Sequence, residues 1–314
     1  MKMTNSLAIN LVGVGKKYGS VVAVDKVDLS LASRECVALV GHNGAGKSTL
    51  IKMMLGLVKP SYGELSVLNC DPFERAFADA RRSIGFLPEQ VLFQKNMTGL
   101  ETLIFYAKLK KLKGLNFSEL FARVGLDNAA ERKVGTYSKG MRQKLGMAQA
   151  LMGQPKLLVL DEPTSGLDPI ARQNIYKIID EEKTRGATVL ISSHALTELD
   201  ERIDRVVILK DGKVVASGSI PILRKTLGMH AKIKLSAELE VCEKIERSLS
   251  GKYQLEKPVD GKLIISSPLD MKAVVLSEIM ALGLEISDVE ISEPTLESVY
   301  NSYSSSVVGR NSDD

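Results

Sequence analysis

Nine consecutive residues carry the first chemical signal. Gly41, His42, Asn43, Gly44, Ala45, Gly46, Lys47, Ser48 and Thr49 fit the pattern G-x-x-x-x-G-K-[ST]. Glycines let backbone N–H groups turn inward around phosphate oxygens, where a Cβ would obstruct. Lys47 is placed to reach β- and γ-phosphates, and the Ser48 hydroxyl to bind Mg²⁺. The flanks agree with this reading. Val37–Val40 is a short apolar run suited to a buried strand, and Ser48–Leu55 reads as a helix start, which aims the positive end of a helix dipole at the same phosphates. A glycine-rich turn with a chance lysine would need neither flank.

A second site lies at Lys156–Pro163, where an apolar strand ends in two carboxylates. Such a strand delivers its last side chains to the carboxyl edge of the sheet, where ligands bind in open α/β folds. Asp161 is the candidate Mg²⁺ ligand, directly or through water, and Glu162 the candidate acceptor of a proton from attacking water. An acidic helix start after a strand is the bland alternative, and the phosphate loop in the same domain weighs against it.

The elements that must position these groups follow from pattern and composition. The 314 residues are 44% hydrophobic and 25% charged, as in an ordinary globular protein, and suffice for one large domain or two moderate ones. From about 7 to about 220, strand-like runs alternate with helical patterns, which predicts an α/β domain around a mainly parallel sheet. Leu7–Val12, Val21–Val27 and Val37–Val40 read as a small antiparallel sheet at its start, and residues from about 90 to about 150 as a helical insertion. From 229 to 303 the order strand, helix, two strands, helix, strand predicts a small α+β domain (Ala231–Leu235, Glu238–Leu249, Tyr253–Glu256, Leu263–Ser266, Asp270–Ala281, Ile286–Ile291). We set the first domain at 7–224 and expect a disordered polar tail at 304–314. No apolar run approaches a membrane span, and the opening ten residues are too polar for a secretory signal. Cys36, Cys70 and Cys242 are scattered, without metal-ligand spacing, and are expected to pack in the interior of a cytoplasmic protein. The net charge of +4 is too mild to argue for nucleic acid.

Further motifs carry a family resemblance over about 7 to 220. Tyr137, Ser138, Lys139, Gly140 and Met141 occupy the five places of the signature usually written LSGGQ. Ser165, Gly166, Leu167 and Asp168 resemble the D-loop, Ser192-Ser-His194 the switch histidine, and Tyr18 the aromatic that stacks on adenine. In this order the set resembles the ATP-binding subunits of ABC transporters. The resemblance implies a P-loop NTPase fold of ABC type, with ATP and Mg²⁺ as cofactors and His194 on the γ-phosphate. It also implies a homodimer in which Ser138 and Gly140 of one copy cover the ATP held at Gly41–Thr49 of the other. Lys139 and Met141 depart from the usual signature. The Q-loop glutamine falls at Glu89, with Gln90 next, and the sequence leaves open which of the two serves.

The resemblance extends to a subfamily. Leu87–Phe93, Gly99–Leu103 and the signature and D-loop segments are similar to the ATP-binding subunit of the transporter for copper-site maturation of nitrous oxide reductase, the NosF type. That implies an integral membrane permease as partner, a periplasmic protein reached through it, a place on the cytoplasmic face of the inner membrane, and a copper or sulfur species as cargo. Other exporter-type subunits share the same features. DNA-associated ATPases with this signature carry a long coiled coil between phosphate loop and signature; here that stretch is short and shows no sustained heptads. The basic run Lys108–Lys113 is read as a solvated helix face, and the helical insertion as the surface that docks the permease.

Overall fold

The computed structural model describes residues 6–193, 196–200 and 202–305, and the chain divides into two compact units at Gly218/Ser219. In chain order the first unit holds β1 (Leu7–Tyr18), β2 (Val21–Ala32), β3 (Cys36–Val40), α1 (Lys47–Met54), β4 (Tyr62–Val67), a single-turn α2 (Phe77–Ala80) and β5 (Ile84–Leu87). Then come α3 (Gly99–Leu109), α4 (Phe117–Arg123) and α5 (Lys139–Leu151), and finally β6 (Leu157–Asp161), α6 (Pro169–Thr184), β7 (Thr188–Ser192), β8 (Arg205–Lys210) and β9 (Lys213–Gly218).

The central sheet has the order β5-β6-β7-β3-β8-β9, parallel throughout except for β9. Strands β3, β6 and β7 are buried along their whole length, which is why they read in sequence as unbroken apolar runs rather than as an alternation. The mainly parallel sheet is as expected. Val37–Val40 is not part of the antiparallel sheet, however; β3 lies inside the parallel one. The small sheet has the order β2-β1-β4, and its third strand is Tyr62–Val67. A fully apolar five-residue run buries best between two neighbours, whereas the half-exposed β4 suits an edge. α1 buries Leu50, Ile51, Met53 and Met54 into one core shared with Ile9 and Leu11 of β1, Leu39 of β3 and Val159 of β6. The helix after the phosphate loop is thus clamped between two sheets.

The segment expected to be helical contains α3, α4 and α5 and no strand. α3 starts with a reciprocal cap: the Thr98 hydroxyl accepts from Glu101 N–H at 3.1 Å, and Glu101 accepts from Thr98 N–H at 2.8 Å. The far end of this helix is tied to the sheet edge by the Lys110 ammonium, which donates to the Ile84 carbonyl at 2.9 Å. Two ion pairs from Arg123 of α4, to Glu181 at 3.0 Å and to the buried Glu182 at 2.9 Å, tie the insertion to α6. Cys36 and Cys242 are buried as expected, and burial pushes the Cys36 thiol up to about 12, so it is inert. Cys70 is only half-buried.

The second unit contains α7 (Ile220–Thr226), β10 (His230–Ser236), α8 (Leu239–Leu249), β11 (Gln254–Val259), β12 (Lys262–Pro268), α9 (Lys272–Ala281), β13 (Asp288–Ser292) and α10 (Leu296–Ser305). Its antiparallel sheet has the order β11-β12-β10-β13. Ile233, Leu235, Leu263 and Ile265 from one face meet Ile245, Leu249, Val275 and Ile279 from α8 and α9. The expected α+β order is present, with two corrections. The unit starts at Ser219, since α7 belongs to it, where the sequence reading left 220–224 in the first domain. Helix α10 reaches Ser305, because Leu296 and Val299 give it an apolar stripe; residues 306–314 of the expected tail lie outside the described residues. Among the described residues no helix is long and apolar enough to cross a membrane.

Burial lowers the Lys110 pKa from 10.5 to about 8. The folded chain then holds this proton more weakly than the unfolded chain does. The resulting penalty is complete below about pH 8 and is relieved as the pH rises toward 10.5. Urea unfolding between pH 7.5 and 10.5 should show Lys110→Met flattening the rise in stability relative to the parent. Parallel curves for the two proteins would rule out this titration.

Candidate functional site

The phosphate-loop residues leave the carboxyl end of β3, between neighbours β7 and β8. Asp161 ends β6, one strand beyond β7. The parallel register pairs Asp161 with Ser192, so both side chains arrive at the same edge as the loop. They surround a cleft of about 370 Å³ lined by residues 42–49, Tyr18, Ala23, Glu89, Asp161 and Glu162. The structure therefore brings together the loop, both acidic residues and the tyrosine proposed for adenine. Glu89 is among the residues that line the cleft and Gln90 is not, although both side chains are exposed.

The loop's shape requires its glycines. Gly46, with φ +104°, is the N-cap of α1, and a Cβ there would lie 2.7 Å from the Ala23 carbonyl oxygen. No side chain caps α1, so the amides of its first turn open onto the cleft. Lys47 is only 7% exposed, and its ammonium donates to the Gly41 carbonyl at 2.5 Å and the His42 carbonyl at 3.2 Å. Burial pulls its pKa below the lysine range, and the carboxylates of Glu162, Asp161 and Glu89 partly oppose this. These features fit a polyphosphate: a tight loop in which Gly41 and Gly46 leave no room for a Cβ and Gly44 and Gly46 take positive φ, uncapped amides, and one buried ammonium.

Ser192 organises the acidic side. Its hydroxyl donates to Asp161 Oδ1 at 2.5 Å and accepts from Glu162 N–H at 3.1 Å. Glu162 has φ +51°, a left-handed backbone that is costly for a residue with a Cβ. The neighbouring carbonyls are held as well: the Gln143 amide on α5 donates to the Pro163 carbonyl at 3.2 Å and to that of Glu162 at 3.4 Å. Sequence reading gave Ser192 and Gln143 no role, since the first acts through strand register and the second through a helix crossing the sheet edge. Among the described residues no group of three His, Cys, Asp or Glu side chains can hold a metal by itself. The oxygen donors Ser48 and Asp161 in the cleft suit Mg²⁺ shared with phosphate oxygens.

None of the signature residues lines the cleft. Ser138 caps α5, accepting from Met141 N–H at 3.1 Å, and Ser138 and Lys139 are exposed. Tyr137 instead points inward: it is 3% exposed and its hydroxyl donates to the Ala129 carbonyl at 2.5 Å, so it anchors the segment rather than presenting itself. The D-loop packs beside the signature, and a Cβ on Gly140 would sit 3.3 Å from Leu167 Cδ2. Asp168 caps α6 through Ala171 N–H at 2.8 Å. Arg172 bonds the Leu167 carbonyl at 3.3 Å and pairs with Glu198 at 2.6 Å, joining the D-loop to the segment after β7. His194 lies outside the described residues.

Comparison with known proteins agrees with this architecture. The sequence model of the ABC transporter family matches residues 24–165. The chain is 36% identical over 233 residues to the bacitracin transport ATP-binding protein BcrA of Bacillus licheniformis, covering 74% of this chain and 76% of that protein. The chain belongs to the ABC transporter ATP-binding proteins. It is also 38% identical over 221 residues to the Nod factor export ATP-binding protein I of Rhizobium sp. (strain N33), covering 68% of this chain and 72% of that one. Among solved structures it resembles an ATP-binding subunit of an ABC transporter, with a TM-score of 0.65 at 30% identity over 71% of this chain and 94% of that one. It also resembles the dimeric ATP-binding cassette MJ0796 bound to ADP and Pi, with a TM-score of 0.61 at 27% identity over 68% and 98% of the two chains. As a member of this family the protein is an ATPase that uses ATP with Mg²⁺ and couples hydrolysis to transport.

Ser192→Ala would remove the donor to Asp161 and the acceptor for Glu162 N–H. We expect the Mg²⁺ concentration for half-maximal ATP hydrolysis to rise about 10–100-fold, as when a ligand's supporting partner is lost. An unchanged Mg²⁺ requirement in a steady-state titration would show that Ser192 does not support the site.

Proposed function

We propose that two copies of this chain close head to tail on two ATP molecules and that the cycle of closing and opening drives an integral membrane permease. One observation carries the reading. The cleft gathers the phosphate loop, Asp161, Glu162, Glu89 and Tyr18, while Ser138 and Gly140 stay outside it, on the capped start of α5. A second copy related by a two-fold axis supplies the missing side to each site. In this reading Tyr18 stacks on adenine, and Lys47 with the first-turn amides of α1 holds the β- and γ-phosphates. Ser48 and Asp161 hold Mg²⁺, which when bound offsets phosphate charge. Glu162, kept in place through Ser192, takes the proton of the attacking water, and His194 meets the γ-phosphate. Glu89 takes the place of the Q-loop glutamine.

A groove of about 590 Å³ beside α3 supports a permease contact. Leu57 is 63% and Leu109 62% exposed along it, and Ile84, Phe86, Pro88 and Tyr106 form its apolar floor. It lies where the helical insertion meets the sheet edge β5, so a segment seated there would touch both parts that must move together. The permease would hold the subunit at the cytoplasmic face of the membrane. The names of the relatives, bacitracin transport and Nod factor export, support an exporter-type permease. The run Leu87–Phe93, the Gly99–Leu103 segment and the Tyr137–Met141 signature favour a finer reading. On it the transporter serves nitrous oxide reductase maturation, moves a copper or sulfur species and works with a periplasmic protein. Co-purification with the permease encoded beside this chain separates the two, since a multidrug-type permease would exclude the finer one.

Glu162→Gln should bind ATP normally, lose about 10²–10⁴-fold in turnover, and run as an ATP-dependent dimer in size-exclusion chromatography. Turnover at the parental rate would remove Glu162 from the role of base. Leu57→Asp should leave basal hydrolysis intact but abolish co-purification with the permease; retained co-purification would mean that the groove is not the contact.

A further inference from the structure

The cleft of one copy is short of positive charge. Among the described residues its lining includes three carboxylates, Glu89, Asp161 and Glu162, against the single ammonium of Lys47, with His42 as the one other basic group. Glu89 is near enough to Lys47 for its charge to act on that ammonium. A nucleoside triphosphate adds further negative charge to the same space. Mg²⁺ and the uncapped first-turn amides of α1 meet part of this demand, and a cation brought from outside this lining would meet more of it.

A suitable cation stands on the surface that carries Ser138. Lys139 is the first residue of α5, next to the Ser138 cap, in a helix whose first turn holds no acidic residue. It is exposed and makes no hydrogen bond or ion pair among the described residues. A cation is disfavoured at the positive end of a helix dipole unless an anion is close. Arg142 in the same turn is already engaged, donating to the Tyr137 carbonyl at 2.5 Å. Lys139 is not loose in solvent, however. Its chain runs across the D-loop, so that a Cβ on Gly166 would lie 3.0 Å from both Lys139 Cε and Nζ, and Gly166 itself has φ +73°. The glycine leaves the path along which the ammonium lies over the D-loop, on the side of the chain that carries the signature.

We propose that Lys139 acts in trans: in the closed dimer its ammonium reaches the γ-phosphate side of the other copy's cleft and offsets the charge that Glu89 adds there. This rests on the composite-dimer reading above. Two of the three departures from the family's usual pattern, the lysine in the signature and the carboxylate at the Q-loop place, are then one compensating pair divided between two copies. An additional cation on the γ-phosphate contributes to turnover as arginine fingers do in other phosphoryl-transfer enzymes.

The test is a double-mutant cycle in the full-length chain, reading ATP turnover and, in a Glu162→Gln background, the fraction of ATP-induced dimer. Lys139→Met keeps the methylenes over Gly166 and removes only the charge. It should lower turnover about tenfold, with a flatter dependence on salt, whereas in the presence of Glu89→Gln the same change should lower it about twofold or less. Lys139→Arg should restore most of the rate. The proposal is overturned if Lys139→Met turns over like the parent, which a packing role alone predicts, or if the effects of Lys139→Met and Glu89→Gln simply multiply. If Glu162→Gln forms the ATP-dependent dimer but Lys139→Met has no effect, only this inference falls. If no ATP-dependent dimer forms, the composite-dimer reading falls with it.

Discussion

The hydrogen bonds of Ser192 depend on strand register. Asp161 and Ser192 sit opposite each other at the ends of β6 and β7, and from there one hydroxyl bonds the Asp161 carboxylate and the Glu162 amide. A slip of one residue in this parallel pair would turn the side chains to the other face of the sheet. β7 is held in register on both sides, by β6 and by β3, and a slip would drag polar ends such as Asp161 and Ser192 out of the places where they pair. The bulk of the first unit therefore fixes three short loops at one edge, and the chemistry depends on that edge.

Glu162 shows what the arrangement allows. Its left-handed backbone costs of order 1–3 kcal/mol and persists only where neighbours determine it. Ser192 holds its amide, and the Gln143 side chain holds the carbonyls of Glu162 and Pro163. Gln143 lies on α5, the helix capped by Ser138. One helix thus presents the signature at its start and supports the acidic loop from its first turns. A displacement of α5 on closure would be felt directly at Glu162.

Much of this was legible in the sequence because it is local. A phosphate loop is a run of nine residues with its own strand and helix, and the acidic strand end carries its meaning in eight more. The α+β order of the second unit was legible from alternation, since β10 and β12 each bury every second residue. What sequence reading lost was non-local. Val37–Val40 went to the wrong sheet because an apolar run does not state its neighbours. The start of the second unit was misplaced because α7 has a proline in its first turn and apolar positions of its own, but nothing in its pattern says which core it serves. Ser192 and Gln143 went unassigned because their partners are 30 and about 20 positions away. The inward turn of Tyr137 is likewise set by a carbonyl on another segment.

The central claim is that each ATP site is divided between two chains. It is tested most directly by mixing two inactive full-length variants, Lys47→Ala, which spoils the phosphate loop, and Ser138→Arg, which spoils the signature. In a head-to-tail pair the loop of the second and the signature of the first rebuild one intact site per mixed dimer. The account predicts that the mixture hydrolyses ATP at a rate neither variant shows alone. A mixture no more active than the sum of its parts would contradict it.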